Sequence, residues 1–302
     1  MTIKLPKEFN YISAFLTFRC NLSCKYCLNA FETDFSRKRE ELFGEQWIDA
    51  LNKFETEIPI TFSGGEPFVH KDFIEIIKNL KPELGIDILT NLYPNSESYK
   101  KTLEHFVREI NPERINRNIP YHNIRVSYHP EQMTQQELLI ENIKKFQNNG
   151  FKVGVYAVNS PYPKDAAKIT QMQFLCLNEG IDFRIKDFVG LFEGDDIFGR
   201  PFSILYGDYS KYSDAAFQMK NKIVLCKTPE LLIGPNGDVY KCHRDLYSQE
   251  FPIGNITSPD FKAEYKFREC NRYGNCHPCD VKGKTSHKQE IGYTTVTIKD
   301  KE

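Results

Sequence analysis

No apolar run in this chain approaches the ~20 residues needed to span a bilayer. The first stretch, Met1 to Tyr11, lacks the basic-then-apolar layout of a signal peptide. Charge of one sign is missing too. Forty basic residues face 41 acidic ones, a formal net charge of −1, so no global field favours nucleic acid or an anionic membrane. Internal repeats and low-complexity tracts are also absent. These absences argue against a membrane-spanning, secreted or nucleic-acid-coating protein, and leave the cytosol as the default compartment.

What is present suits a folded α/β protein. The chain has 302 residues, 40% hydrophobic and 27% charged, enough apolar material for a sizeable core in one large barrel or two domains. It carries nine cysteines, an odd number that sits poorly with a disulfide framework in a reducing compartment. Their distribution says more. Cys20, Cys24 and Cys27 stand together near the start, five more lie between Cys226 and Cys279, and Cys176 is alone in a helical apolar stretch, where it reads as a small core residue. Two groups of thiols suggest two metal centres.

Between Tyr11 and Lys186, β-branched runs alternate with amphipathic ones. The strands expected are Ile12–Phe18, Ile58–Phe62, Ile86–Thr90, Ile124–Tyr128, Lys152–Val158 and Ile181–Lys186. The helices expected are Gln46–Glu55, Asp72–Leu80, Ser96–Ile110, Thr134–Asn149 and Lys164–Glu179, with Thr134 and Glu137 as a capping box and Gly150 and Gly180 past two helix ends. Six βα units in series imply a parallel sheet, as a partial (βα)6 barrel or an open doubly wound sheet, with ligands at the C-terminal strand ends. Residues 188–215 lose this rhythm and read as a bridging region. From Lys222, short strands and turns follow, with Pro235–Asn236–Gly237 as a turn and Tyr293–Ile298 as a late strand.

Cys20-Asn-Leu-Ser-Cys24-Lys-Tyr-Cys27 directly follows the first strand. Three thiolates on one loop can hold three irons of a cubane and leave the fourth without a protein ligand, whereas electron-transfer clusters normally close that position with a fourth cysteine. Zinc completed by a distant residue, or incidental reduced thiols, are the alternatives. The CxxxCxxC spacing, with Tyr26 before the last cysteine, resembles the signature of the radical S-adenosylmethionine (SAM) superfamily. The resemblance implies a [4Fe–4S] cluster whose open iron binds SAM. A reducing electron, from a flavodoxin- or ferredoxin-type donor, then yields a 5′-deoxyadenosyl radical that takes hydrogen from substrate.

Gly64-Gly65-Glu66-Pro67 follows the second strand and matches that family's motif for the SAM amino group. Two glycines permit close backbone approach, and Glu66 offers a carboxylate to an ammonium. At later strand ends Thr90, Asn91, Ser127 and Asn159 occupy places where the family contacts SAM, although such residues equally serve turns and caps. Arg184 and Lys186 would meet a carboxylate or solvent. Tyr128, His129 and Pro130 would lie at a cavity mouth or in a surface loop.

In the C-terminal part Cys226 is followed by ten residues, Gly237, four residues and Cys242, with Cys276-His-Pro-Cys279 downstream. Four thiolates suit tetrahedral zinc or a fully ligated cluster. The pattern, with Gly254-Asn255-Ile256 behind it, resembles the Twitch extension, the shorter relative of SPASM. That implies one auxiliary [4Fe–4S] cluster held by Cys226, Cys242, Cys276 and Cys279, with zinc the lesser alternative. Cys270 is a fifth thiol: a spare, a substitute ligand or a substrate-facing residue. His243 and His277 adjoin ligand candidates and read as supporting or exposed histidines. No general base is singled out; Asp238, Tyr240 and Asp245 are merely near this site in sequence.

The expected architecture is thus an α/β partial (βα)6 TIM-like barrel at 8–190, a bridge at 191–221, a small cysteine-rich β-hairpin/α Twitch-like domain at 222–282 and a tail at 283–302. The expected function is a radical SAM oxidoreductase acting on a small molecule of sugar or cyclitol type, with an auxiliary cluster that accepts an electron or binds substrate. Modification or crosslinking of a ribosomal peptide or protein side chain is the alternative within the family. The few residues before Cys20 leave no room for a fused leader-binding domain. A non-catalytic iron–sulfur electron carrier or metal-binding scaffold is the alternative of another class, and RNA modification gains no support from the neutral charge.

Overall fold

The structure, a computed structural model, describes residues 2–24, 27, 40–160, 162–186, 190–195, 201–206, 223–271 and 297–301, with the backbone alone for 190–195, 201–206 and 298. A short β1 (Ile3–Lys4) precedes β2 (Tyr11–Thr17), α1 (Gly44–Leu51), β3 (Phe54–Glu55), β4 (Ile60–Gly64) and α2 (Phe73–Asn79). Then come β5 (Ile86–Thr90), α3 (Glu97–Glu109), β6 (Ile124–Tyr128), α4 (Gln136–Asn148), β7 (Val153–Val158), α5 (Pro163–Asn178) and β8 (Asp182–Lys186). Strands β9 (Gly190–Asp195) and β10 (Pro201–Tyr206) follow. The C-terminal part holds β11 (Val224–Lys227), β12 (Glu230–Ile233), β13 (Asp238–Tyr240), α6 (His243–Ser248), β14 (Gly254–Asn255), β15 (Arg268–Cys270) and β16 (Thr297–Asp300).

Strands β2, β4, β5, β6, β7 and β8 are parallel and neighbour one another in chain order. A doubly wound sheet reverses its order at a switch point. This one never reverses, so its crossovers keep to one side, as in a partial barrel. Side-chain alternation supports that winding. Ile12, Ile60, Phe62, Ile88, Val126 and Val155 point to one face and join the helices in one large core. Full burial of such a side chain contributes about 1.5–3 kcal/mol. The other face is polar in its lower half. There Asp87 accepts from Arg117 Nη2 at 2.5 Å, Tyr121 Oη at 2.9 Å, Asn123 Nδ2 at 3.1 Å and Arg125 Nη2 at 3.4 Å. Arg125 is 3% exposed, so this carboxylate neutralises a charge held inside the barrel.

Several expectations change. The first helix stops at Leu51 rather than Glu55, because Phe54–Glu55 pairs in parallel with Ile3–Lys4. The Thr134–Glu137 capping box does not form: the N-cap is Gln135 and makes no side-chain cap bond. Part of the bridging region is regular, since β9 and β10 pair antiparallel over six residues each. The hairpin β12–β13, turned at Pro235–Gly237, joins the barrel sheet: β12 lies parallel to β2, with Glu230 opposite Tyr11 and Ile233 opposite Ala14. Nine strands result, in the order β14-β13-β12-β2-β4-β5-β6-β7-β8. Of the late strand, Thr297–Asp300 forms β16 against β11, and residues 291–296 lie outside the described residues. Cys176 is buried in the core, as expected. Among the described residues no helix is long and apolar enough to cross a membrane.

Candidate functional site

The backbone of β2 runs out at Thr17 and leads directly into the first thiol loop. Its exit is held by the neighbouring strand end: Gly65 N–H donates to Thr17 O at 2.8 Å and Glu66 N–H to Arg19 O at 2.9 Å. The paired glycines explain how two main chains come so close. A Cβ at Gly65 would stand 2.1 Å from Arg19 O, and one at Gly64, where φ is +133°, 2.2 Å from Thr17 O. Their freedom is spent on the approach of loop to loop. Pro67 then opens a 3₁₀ turn for which Glu66 is the N-cap.

Glu66 is 1% exposed, and its carboxylate faces the end of β5. It accepts from Thr90 Oγ1 at 2.7 Å, from Asn91 N–H at 2.7 Å and from Phe68 N–H at 3.3 Å. Burial pushes the carboxyl up to about 7 against the pull of those three donors. Asn91 continues the chain of contacts. Its Nδ2 reaches Asn21 Oδ1 at 2.7 Å and approaches Cys20 Sγ at 3.9 Å. Asn21 Nδ2 in turn bonds Tyr93 O and Asn95 Oδ1, and Asn95 Nδ2 bonds Asn21 O. The loop after β5 is thereby zipped to the thiol loop. Leu92, between them, holds a positive φ of 50°, an uncommon backbone for leucine that recurs where loops are over-determined.

Cys20, Cys24 and Cys27 are free thiols, and Cys27 N–H donates to Cys24 O at 3.1 Å to close the loop's turn. Cys20 is exposed as a residue, but its sulfur accepts from Leu22 N–H at 3.4 Å. Burial of the sulfurs pushes Cys20 up to about 11 and Cys24 up to about 12. Negative charge on Glu66 and Cys27 adds to the rise at Cys20, and charge on Cys27 and Cys20 adds to that at Cys24. Ser127 is half-buried on the inner face of β6. Asn159 is exposed, and its N–H donates to Lys186 O at 2.7 Å. Among the described residues no hydrogen bond joins either to the Cys20–Glu66–Asn91 group. Tyr26, Cys276, His277 and Cys279 lie outside the described residues.

In the C-terminal part Cys226 sits on β11 and Cys242 is the N-cap of α6, both buried. His243 is buried rather than exposed, with Nδ1 3.3 Å from Glu230 Oε2 and its ring edge-on to Phe15. Asp245 forms a buried ion pair with Lys241. Asp238 accepts from Asn255 and so ties β13 to β14, and Tyr240 packs in an inner cluster with Phe15, Phe18 and Tyr247. On β8, Arg184 pairs with Asp182, and both Arg184 and Lys186 lie over the Tyr156 ring. Tyr128 is buried, with its hydroxyl on Gln136, so this residue is core rather than loop. Among the described residues no three His, Cys, Asp or Glu side chains gather as ligands of one metal ion. A cubane takes its thiolates at separate corners and does not require that.

Sequence reasoning missed Asn21, Asn95 and the Asp87 network. Nothing local in the chain announces a contact across some seventy positions. The recurrence of asparagine behind two strand ends was the one available signal.

The radical SAM superfamily model matches residues 15–165, half of the chain, and spans the thiol loop, the Gly-Gly-Glu-Pro turn and β5 through β7. This chain belongs to the radical SAM superfamily. The family implies SAM and a [4Fe–4S] cluster as cofactors, and the sheet described above is the family's partial TIM-like barrel. A curated relative, GTP 3′,8-cyclase of Nautilia profundicola, is 24% identical over 191 residues, 62% of this chain and 58% of that protein. The chain thus spans under two thirds of that relative's length. Among solved structures, native anSMEcpe with bound AdoMet aligns with a TM-score of 0.49 at 15% identity, over 85% of this chain and 78% of that one. The same protein with AdoMet and the Kp18Cys peptide aligns with a TM-score of 0.49 at 14% identity, over the same shares of the two chains.

Proposed function

We propose that this radical SAM enzyme oxidises a small polar molecule of sugar or cyclitol type, with a second, auxiliary cluster taking up the electron left on the substrate. The observation that carries the radical part is the clasp Glu66–Asn91–Asn21, which holds Cys20, the first of three free thiols, at the C-terminal end of the barrel. These residues fit an iron–sulfur cluster. Cys20, Cys24 and Cys27 supply soft donors, and N–H groups of Leu22 and Asn91 point at the Cys20 sulfur, where they stabilise a ligating thiolate. Bound there, SAM and the reduced cluster supply a carbon radical able to abstract hydrogen. Gly64, Gly65, Pro67, Thr90 and Asn91 shape the turn beside it, and Tyr26, Ser127 and Asn159 are assigned to SAM on the family pattern.

Two further observations support the substrate class. Towards the thiol end, the inner face of the barrel presents Ser127 and Tyr156, which lie opposite one another on β6 and β7, a surface suited to hydroxyls rather than to an apolar chain. The relative named GTP 3′,8-cyclase also acts, by its name, on a polar small molecule. The second cluster is assigned to Cys226, Cys242, Cys276 and Cys279.

Deuterium transfer tests the reading. Reconstituted enzyme, SAM and dithionite are incubated with a panel of carbon-deuterated cyclitols and hexoses. Deuterium in the 5′-deoxyadenosine, together with a product two hydrogens lighter, is expected for one member. Label acquired solely from a deuterated peptide would contradict the small-molecule assignment.

A further inference from the structure

The elements that carry three thiols of the C-terminal part adjoin by a route their spacing does not announce. Strands β11 and β15 are antiparallel, with Val224 opposite Cys270 and Cys226 opposite Arg268. Residues two apart on a strand share a face, and residues directly opposite share it too. Cys226 and Cys270 are therefore diagonal neighbours on one face of the ladder, within reach of a common partner. The third thiol arrives from the hairpin. Thr228, one residue beyond β11, donates its hydroxyl to the Lys241 carbonyl, which carries Cys242 to the end of β11. The Lys241 ammonium lies within electrostatic reach of both Cys242 and Cys270, and Asp245 pairs with it. Cys226 is 5% and Cys242 7% exposed, and Cys270 is half-buried.

We propose that Cys270 is a ligand of the second centre, sharing one iron–sulfur cluster with Cys226 and Cys242. The inference rests on the auxiliary-cluster reading above and changes its ligand set: a cubane offers four iron corners, so Cys270 takes one of them in place of a thiol assigned there on the family pattern. Each thiol comes from a different element: Cys226 from β11, Cys242 from the start of α6, Cys270 from β15. Such a set forms only after the hairpin has docked and β15 has paired, which gives the cluster a folded cradle. Soft thiolates at separate corners are the donor set of a cubane. Lys241, with its charge beside two of them, offsets the negative charge the thiolates bring into a buried place. Cys270 is thereby neither a spare nor a substrate-facing thiol.

The test uses the full chain, reconstituted anaerobically with iron and sulfide, as wild type and as Cys270→Ala, Cys270→Ser, Cys226→Ala and Cys176→Ala. Iron per chain is measured, and the reduced clusters are followed by electron paramagnetic resonance with and without SAM. SAM perturbs the signal of the cluster it ligates and leaves the other unchanged, so the two are read separately and the first reports that the barrel is folded. Wild type is expected to hold about eight irons. Cys270→Ala is expected to fall to about half of that, as Cys226→Ala does, with the SAM-responsive signal retained. Cys270→Ser is expected to alter the SAM-insensitive signal, and Cys176→Ala to change nothing. Full iron and an unaltered SAM-insensitive signal in Cys270→Ala, beside a loss in Cys226→Ala, would overturn the assignment of Cys270. About four irons in the wild type would instead overturn the auxiliary cluster itself, and the ligand with it.

Discussion

The backbone N–H of Asn91 donates to the buried carboxylate of Glu66 at 2.7 Å, and the Asn91 side chain reaches on to Asn21 and the sulfur of Cys20. Two strand ends and the thiol loop are thus one connected unit. The acidic residue of the Gly-Gly-Glu-Pro turn works here as an internal clasp, and loosening it would disturb the thiols without touching them.

The Asn91 side chain is the most direct way to loosen that unit. Asn91→Ala is expected to keep iron incorporation while slowing SAM cleavage about 10- to 100-fold, the usual cost of removing a group that orients a metal's ligands. Iron assays and single-turnover 5′-deoxyadenosine formation, run side by side, check this. A loss of iron in proportion to activity would point to a ligand-holding role instead.

Glu66 gives the protein a pH signature. Burial raises its carboxyl from an ordinary 4.5 to about 7 in the folded state, so between those values the folded chain binds more protons than the unfolded one. Stability from this group is therefore complete below about pH 4.5 and is lost as the pH rises through about 7. The full effect is about 3 kcal/mol. Denaturant unfolding of metal-free protein at pH 5 and pH 8 should show wild type losing ground to Glu66→Gln across that interval. Parallel losses in the two proteins would contradict it.

Gly65→Ala places a methyl group 2.1 Å from Arg19 O, on a backbone that cannot step aside without breaking the bonds from Gly65 to Thr17 and from Glu66 to Arg19. A destabilisation of about 1–3 kcal/mol is expected from such overpacking. Thermal unfolding of the purified variant measures it, and unchanged stability would mean that the two loops are less tightly joined than described.

At the opposite end of the barrel, Asp87→Ala strands Arg125 inside and frees Arg117, Tyr121 and Asn123. Removing one member of a buried ionic network costs about 3–5 kcal/mol. Urea unfolding should show this loss, and restoring neutrality with Asp87→Ala/Arg125→Met should recover part of it.

Much of this fold was legible in the sequence because its signals are local. Ile60 and Phe62, or Ile86 and Ile88, alternate with residues that face the inside, and the barrel strands from β2 to β7 follow that period of two. The thiol loop and the Gly-Gly-Glu-Pro turn were equally readable, since each lies within a few consecutive residues. Pairings between distant segments were not. Nothing near Phe54 says that it meets Ile3, and nothing near Leu231 says that it lies beside Ile12. The Thr134–Glu137 pair failed for the converse reason: a local motif was present, yet helix α4 starts at Gln136, whose side chain is held by Tyr128 and the Lys168 carbonyl. In the site, the purpose of the two glycines became clear once Thr17 and Arg19 were seen across from them.

The central claim is that Cys20, Cys24 and Cys27 hold the cluster that cleaves SAM. The most direct measurement is 5′-deoxyadenosine released by reconstituted, dithionite-reduced protein, compared with Cys24→Ala prepared alongside. Release by the wild type and none by the variant is the expected result. A wild-type sample replete in iron and sulfide that leaves SAM intact would contradict the account.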